Sequence, residues 1–256
     1  MQPVKYIHTE ITHNLTSPQI IVPEVIRLLN PKSVIDIGCG TGTFLHVFVH
    51  EGISDYLGVD GAWAKDGLLI GKEHFASCDL EKEFDLGRTF DLVVCLEVAE
   101  HVSESSSDGF VQSLINHGRT ILFSAAIRNQ GGQNHINEQN FDYWQRKFKK
   151  HGYYFYDIFR PLFWNAADVQ WWYKQNMFLV VHESVSLPPA IEARRMPENA
   201  DTQAHPEMAE FYRQLYLDEA VKTRQLQTEL KDIVWGDKRP IFYIRGLLKT
   251  VRNLFR

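Results

Sequence analysis

The chain has 256 residues, 44% of them hydrophobic and 23% charged, with a net charge of −5. That length supports one to two domains with a full hydrophobic core, and the composition excludes a wholly disordered chain. The acidic balance disfavours a nucleic-acid partner, and no run nears the roughly 20 apolar residues of a membrane-spanning helix. The opening stretch MQPVKYIHTEITHNL has no apolar signal core. Cys39, Cys78 and Cys95 are too few and too scattered for a disulfide framework, so a reducing, cytoplasmic setting is expected.

Residues 18–29 carry apolar side chains at helical spacing and predict a helix opening near Ser17 and Pro18. Strands are expected at Ser33 to Ile37, Tyr56 to Asp60, His74 to Cys78, Asp91 to Leu96 and Thr120 to Ala125. Helices are expected between them at Thr43 to His50 and Gly109 to His117. Strands that read as continuous apolar runs and alternate with helices predict a parallel sheet covered on both faces. A helix over Glu138 to His151, closed by Gly152, leads to two late strands, Tyr153 to Phe159 and Met177 to His182. These elements make residues 1–186 one α/β domain. Residues 187–205, with Pro188, Pro189 and Pro197, read as a linker or surface arm. Residues 206–256 read as a helical extension, with a long charged helix over Pro206 to Asp232, a break at Gly236 to Pro240 and a second helix beyond it.

The stretch Val34 to Gly42, VIDIGCGTG, places three glycines directly after a strand and before a helix. Glycine admits positive φ and carries no Cβ to block a ligand, and a helix N-terminus offers unpaired N–H groups. This is the nucleotide-binding crevice of an open α/β sheet. A dinucleotide loop would carry its third glycine at position 43, where this chain has Thr43. Asp36 lies two residues before Gly38. A carboxylate there repels a pyrophosphate and suits an ammonium or sulfonium group. Asp60 ends the next strand, 18 residues after Gly42, where an acid accepts the hydroxyls of a ribose.

VIDIGCGTG, LGVD ending at Asp60, CDL at Cys78 to Leu80 and CLEVAEHV at Cys95 to Val102 together resemble the class I S-adenosylmethionine-dependent methyltransferases, closest to a branch with an LEVxEH pattern after the fourth strand. The resemblance spans roughly residues 30–185. It implies a Rossmann-like, seven-stranded, mostly parallel sheet with an antiparallel last strand and S-adenosylmethionine as cofactor. It places Gly38, Gly40 and Gly42 at the methionine part, Asp36 in support of the loop or at the ammonium, Asp60 at the ribose, Asp79 and Leu80 at the adenine, and Leu96 and Glu97 at the methionine end. Blander readings stand beside these: Asp79 caps a short helix near Leu80, and Glu97 and Glu100 form a solvated helix face.

Methyltransferases of base nitrogens and of glutamine carry an Asn or Asp followed by two prolines and an aromatic after the fourth strand. This chain has Glu97-Val98-Ala99-Glu100, and no cysteine sits in a Pro-Cys turn, which leaves a hydroxyl as the leading acceptor. In the loop QGGQNHINE, Gln130 to Glu138, His135 is the first candidate base, with Glu138 to orient it and His101 as the second candidate. In the blander reading Asn137 caps the following helix. A metal on His135 and Glu138 lacks a third ligand at readable spacing, so no metal is expected. Tyr153 to Tyr173 holds 10 aromatics in 21 residues. Some belong to the core, and the rest suit the flat face of a sugar. The loop NHINEQNFDYW is similar to methyltransferases of polysaccharide and natural-product pathways, so a small-molecule sugar or glycan acceptor is expected.

The last 19 residues hold Lys238, Arg239, Arg245, Lys249, Arg252 and Arg256 with no acid, interleaved with apolar residues at near-helical spacing. Such a helix docks on an anionic membrane face or a protein partner, or packs on its own domain or across a homodimer. Two other functions stay open at this point: a non-catalytic cofactor-binding scaffold recruited through residues 238–256, and a nicotinamide-dependent oxidoreductase, which Thr43 and Asp36 disfavour.

Overall fold

The computed structural model describes residues 14–198 and 200–235. The chain divides into two compact units, one ending at His205 and one beginning at Pro206. The first unit is built on seven strands: β1 (Ser33–Ile37), β2 (Asp55–Asp60), β3 (Phe75–Ser77), β4 (Leu92–Leu96), β5 (Thr120–Ser124), β6 (Tyr153–Tyr156) and β7 (Phe178–His182). They form one sheet in the order β3-β2-β1-β4-β5-β7-β6. The pairs from β3 through β5 are parallel, and β7 runs antiparallel to β5 and β6. This is the Rossmann-like methyltransferase fold that the motifs imply.

Both faces of the sheet are covered, as its apolar strands require. β4 is buried at all five positions. Val34, Leu92, Val94, Leu122 and Leu179 pack on one side with Ile21, Val22 and Val25 of α1 (Thr16–Leu29) and Phe44, Leu45 and Phe48 of α2 (Thr43–His50). On the other side lie α3 (Ser107–His117) and α4 (Phe141–Lys149). There Phe123 of β5 meets Trp144 and Phe148 of α4 edge-on, with ring centroids 5.6 and 5.2 Å apart. Strand alternation sends Phe123, Phe155 and Phe178 to this second layer, where their rings meet those of α4, while Phe44 and Phe48 stay in the first.

Two stretches differ from the sequence reading. The helix expected from Glu138 starts at Phe141, because Asn137 is drawn inward: its amide donates to Ser107 Oγ and its carbonyl accepts Gln139 Nε2. It therefore does not cap the helix, whose first N–H donates instead to Thr202 Oγ1. The strand expected to reach Phe159 stops at Tyr156 and gives way to a short helix, α5 (Phe159–Phe163), followed by α6 (Trp171–Asn176). Periodicity could not separate these helices from the surrounding aromatic run.

Residues 187–205 lie along the first unit and include α7 (Pro189–Glu192). Met196 N–H donates to Phe155 O and Asp157 N–H to Arg194 O, which continues the sheet edge at β6. In the second unit, α8 (Pro206–Trp235) runs 30 residues and exposes Phe211, Leu215, Tyr216, Val221 and Leu226. The basic stretch 238–256 lies outside the described residues. Among the described residues no helix is long and apolar enough to cross a membrane.

Candidate active site

The carboxyl ends of β1, β2 and β4 converge on the glycine loop. Gly38, Gly40 and Gly42 all take positive φ, at 86°, 54° and 81°. Val98, from the loop after β4, presses on Gly38 so that no other residue fits there. The loop is tied to β2 by Gly38 and Cys39 N–H, which both donate to Val59 O. Asp60 holds it from the side: Oδ2 accepts Gly40 N–H at 2.7 Å and Oδ1 accepts Gly61 N–H at 2.6 Å. Asp36 is buried beneath the loop. Burial, with the Asp60 charge second, pushes its carboxyl up to about 8. Asp60 and the buried acid Asp36, which a bound cation would draw into its ionised form, make the loop a cradle for a cationic ligand rather than for a pyrophosphate.

The outer part of the cradle is more open. Asp79, just past β3, is exposed, accepts Glu81 N–H in a turn and pairs with Lys82. No helix follows it for it to cap. Leu80 beside it is half-buried, and Leu96 is buried at the end of β4. Sequence reasoning passed over Trp63, whose indole lies against Gly61: a Cβ there would fall 2.1 Å from Trp63 Cη2. The indole is 38% exposed, immediately after Asp60.

A second group gathers after β4. Glu97 takes φ +54°, the left-handed region that strains a residue with a Cβ. Its carboxylate accepts Gln130 Nε2 at 3.0 Å and Asn176 Nδ2 at 3.0 and 3.2 Å. Burial pushes it up to about 7 against those bonds. Glu100 has no exposed surface at all, which overturns the solvated-face reading. Neither of its carboxylate oxygens makes a fully formed hydrogen bond among the described residues, and only the backbone N–H groups of Glu100 and Ala126 lie near enough to favour its charge. Burial, then the neighbouring Glu97, drive its carboxyl well above the usual range.

The loop that carries His135 is hooked onto this glutamate, because Ile136 and Asn137 N–H both donate to Glu100 O at 3.0 Å. His135 Nε2 then lies 3.9 Å from Glu100 Oε1, and its Nδ1 donates to Glu138 Oε1 at 2.9 Å. His101 meets the His135 ring edge-on at 4.9 Å and engages Asn134 O through Nδ1. Burial, then His135, push His101 down to about 4, so it is neutral at pH 7. One ligand atom each from Glu100, His101 and His135 lies within 4.8 Å of the others, a spacing that can hold a metal ion. Spacing along the chain could not show this third donor, because Glu100 and His135 are 35 residues apart and the loop's backbone bonds bring them together. The Glu138 carboxylate on the far nitrogen of His135 is the outer-shell arrangement that orients a metal-bound imidazole.

Residues 18–183 match the profile of a family described as "Methyltransferase domain". The chain belongs to this methyltransferase family. Among curated proteins it is similar to the ubiquinone biosynthesis O-methyltransferase of Nitrosomonas europaea, 29% identical over 121 residues, 42% of this chain and 49% of that protein. The same-named protein of Stutzerimonas stutzeri is 30% identical over 109 residues, 38% of this chain and 46% of the relative. The matches thus span about half the length of these relatives. Among solved structures, the sugar N-methyltransferase KedS8 from Streptoalloteichus aligns over 71% of this chain and 97% of its own, with TM-score 0.50 and 14% identity. That likeness is one of fold.

Membership in the methyltransferase family implies S-adenosylmethionine as the methyl donor, and the cradle fits it. The donor's sulfonium and ammonium charges suit a loop backed by the acids Asp36 and Asp60, and the two carboxyl oxygens of Asp60 also hold Gly40 and Gly61 N–H. The Glu100, His101 and His135 cluster stands beside the cradle, since Val98, which abuts Gly38, lies between Glu97 and Glu100 in the chain.

Proposed function

We propose that this chain transfers a methyl group from S-adenosylmethionine to a hydroxyl of a small molecule, with sugars and glycans first in line, at a centre that takes a divalent cation on Glu100, His101 and His135. The observation that carries this reading is the buried Glu100, whose oxygens make no fully formed hydrogen bond among the described residues and which faces a histidine nitrogen at 3.9 Å within a cluster of three ligand atoms no more than 4.8 Å apart. An acid so placed is costly unless a cation or proton compensates it.

S-adenosylmethionine supplies a methyl group bonded to positive sulfur, and a divalent cation supplies charge that acidifies a nearby hydroxyl. The chain does the rest by position. Asp36, the glycine loop and Asp60 seat the donor. Glu138 holds Nδ1 of His135 so that Nε2 faces inward. His101, neutral through burial, offers a second imidazole. Glu100, His101 and His135 would hold such a cation, and its charge would lower the pKa of an acceptor hydroxyl placed beside it. Without a cation, His135 Nε2 is the base that removes the hydroxyl proton.

Two observations support a hydroxyl, and a sugar, as acceptor. The curated relatives are named as O-methyltransferases. Of the ten aromatics in 153–173, five are buried in the core and five are half-buried: Tyr154, Trp164, Trp171, Trp172 and Tyr173. The last three begin α6, whose end reaches Glu97 through Asn176. Tyr173 also meets Phe44 of the glycine-loop helix edge-on at 5.5 Å. Flat rings at this position suit the C–H face of a sugar. The relatives' names make an acceptor of ubiquinone biosynthesis the competing class.

The test is methyl transfer from labelled S-adenosylmethionine to a panel of sugars and quinone precursors, after chelation and after return of Mg2+ or Mn2+. Label in a sugar, lost on chelation and restored by metal, supports the full reading. Label unaffected by chelation but lost in His135→Ala keeps the hydroxyl and makes His135 the base. Saturable binding of S-adenosylmethionine with no acceptor turned over would leave a cofactor-binding scaffold, and binding of NAD in its place would overturn the reading.

A further inference from the structure

The Glu97 carboxylate ends a buried chain of amides that the methyl-transfer chemistry does not itself use. Gln130 donates Nε2 to Glu97, and its Oε1 accepts Gln175 Nε2 at 2.9 Å, Asn176 Nδ2 at 2.9 Å and Ile127 N–H at 3.1 Å. Gln175 donates its other amide hydrogen to Asn176 Oδ1 at 3.1 Å. Gln175 Oε1 in turn accepts the His205 backbone N–H at 2.7 Å. Gln175 and Asn176 have no exposed surface, and Gln130 and His205 have almost none.

The direction of this chain is fixed from one end. In its ionised form Glu97 only accepts, and two amide NH2 groups donate to it, so the Gln130 NH2 turns toward it and the Gln130 carbonyl outward. That carbonyl orients both Gln175 and Asn176, and the Gln175 carbonyl is left for a donor, which His205 supplies. The bonds join four segments distant in sequence: the end of β4, the loop after β5 that carries His135, the end of α6 and the last residue of the first unit. They also secure Glu97 in a left-handed backbone conformation that costs energy to hold.

We infer that Gln130, Gln175 and Asn176 are positioning residues that set the Glu97 carboxylate and the 127–139 loop as one body, and that the His205 N–H closes this device from outside. The segment before Pro206 thereby becomes a control point for the site. The inference rests on the proposed reaction only for its effect on turnover. The device itself is a property of the unliganded protein.

The experiment compares wild type, Gln175→Met and Val169→Ala by hydrogen exchange and by methyl transfer. Val169 is a buried core residue outside the network and serves as the control for general loosening. Loss of buried hydrogen bonds at Gln175 is expected to speed exchange in 127–139 about tenfold or more, with β1 and β2 unchanged and with no such local effect in Val169→Ala. Turnover is expected to fall at least about tenfold while S-adenosylmethionine affinity stays within about threefold. Exchange in 127–139 equal to wild type overturns the inference whether or not an acceptor is known. Should Gln175→Met not fold, His205→Pro, which deletes the donating N–H, is read against His205→Ala, which keeps it. Faster exchange in the proline variant alone supports the inference, and equal behaviour overturns it. Absence of methyl transfer in wild type overturns the proposed reaction and leaves the exchange result standing.

Discussion

Val98 stands directly over Gly38: a Cβ on the glycine would lie 2.3 Å from Val98 Cγ2 and 2.6 Å from Cγ1. With φ at +86° as well, Gly38→Ala is expected to cost about 2–4 kcal/mol, read by urea unfolding. The double variant Gly38→Ala with Val98→Ala recovers the steric part alone, so a coupling of about 1 kcal/mol or more is expected from the cycle.

The buried acid under the loop sets a pH dependence of stability. Asp36 titrates at 3.8 when unfolded and at about 8 when folded, so the folded state favours the protonated form. Stability from this group is therefore full below pH 3.8 and declines as pH rises toward 8. Asp36→Asn removes that decline. At pH 8 the unliganded Asn variant is expected to exceed wild type by at least about 1 kcal/mol, measured by denaturant unfolding across pH.

The same group ties cofactor binding to protons. A cation seated by Asp36 favours the carboxylate, so S-adenosylmethionine binding at pH 7 is expected to release a proton, with affinity rising up to about pH 8. Calorimetry in buffers of different ionisation enthalpy reads the release directly. Asp36→Asn should bind more weakly and release none.

For the Glu100, His101 and His135 cluster, Mn2+ is expected to raise the melting temperature of wild type and not of Glu100→Gln, a readout independent of any acceptor. With an acceptor, Glu138→Gln is expected to weaken metal dependence about 10–100-fold, because Glu138 orients the His135 ring through Nδ1.

Trp63 offers an optical report on the outer cradle. Its half-open indole follows Asp60 and lies on Gly61. Binding of S-adenosylmethionine is expected to change the tryptophan fluorescence of wild type, and Trp63→Phe to remove most of that change.

What the sequence disclosed follows from the range of the interactions involved. The glycine loop and the strands around it are read from contiguous patterns, apolar β-branched runs followed by closely spaced glycines, and the strands from β1 to β5 lie within a residue or two of where those patterns place them. The cluster was only half visible. His101, His135 and Glu138 stand out as titratable residues in loops, while Glu100 looks like a surface acid until the 130–139 loop closes over it. Gln130, Gln175 and Asn176 leave no trace as a network, since buried amides have no period and the bonds that tie them to Glu97, to His205 and across segments to each other span 30 to 79 residues. The aromatic run at 153–173 misled in another way. Rings serve core, lid and helix alike, so composition there did not reveal α5 and α6.

The reversed direction of β7 carries a consequence for how this fold can diversify. Because β7 runs against its neighbours, its first residue lies at the edge where the parallel strands finish. Chain inserted ahead of Phe178 is therefore delivered to the reacting edge without passing through the nucleotide half of the sheet. The stretch 157–177, with α5 and α6, occupies that slot. On the proposed reading, insertion or exchange there is expected to change acceptor preference while β1 to β3 and their loop keep the same donor. A graft of residues 157–174 from another methyltransferase of this fold, with Gln175 and Asn176 retained, is the natural unit for redesigning what this chain methylates.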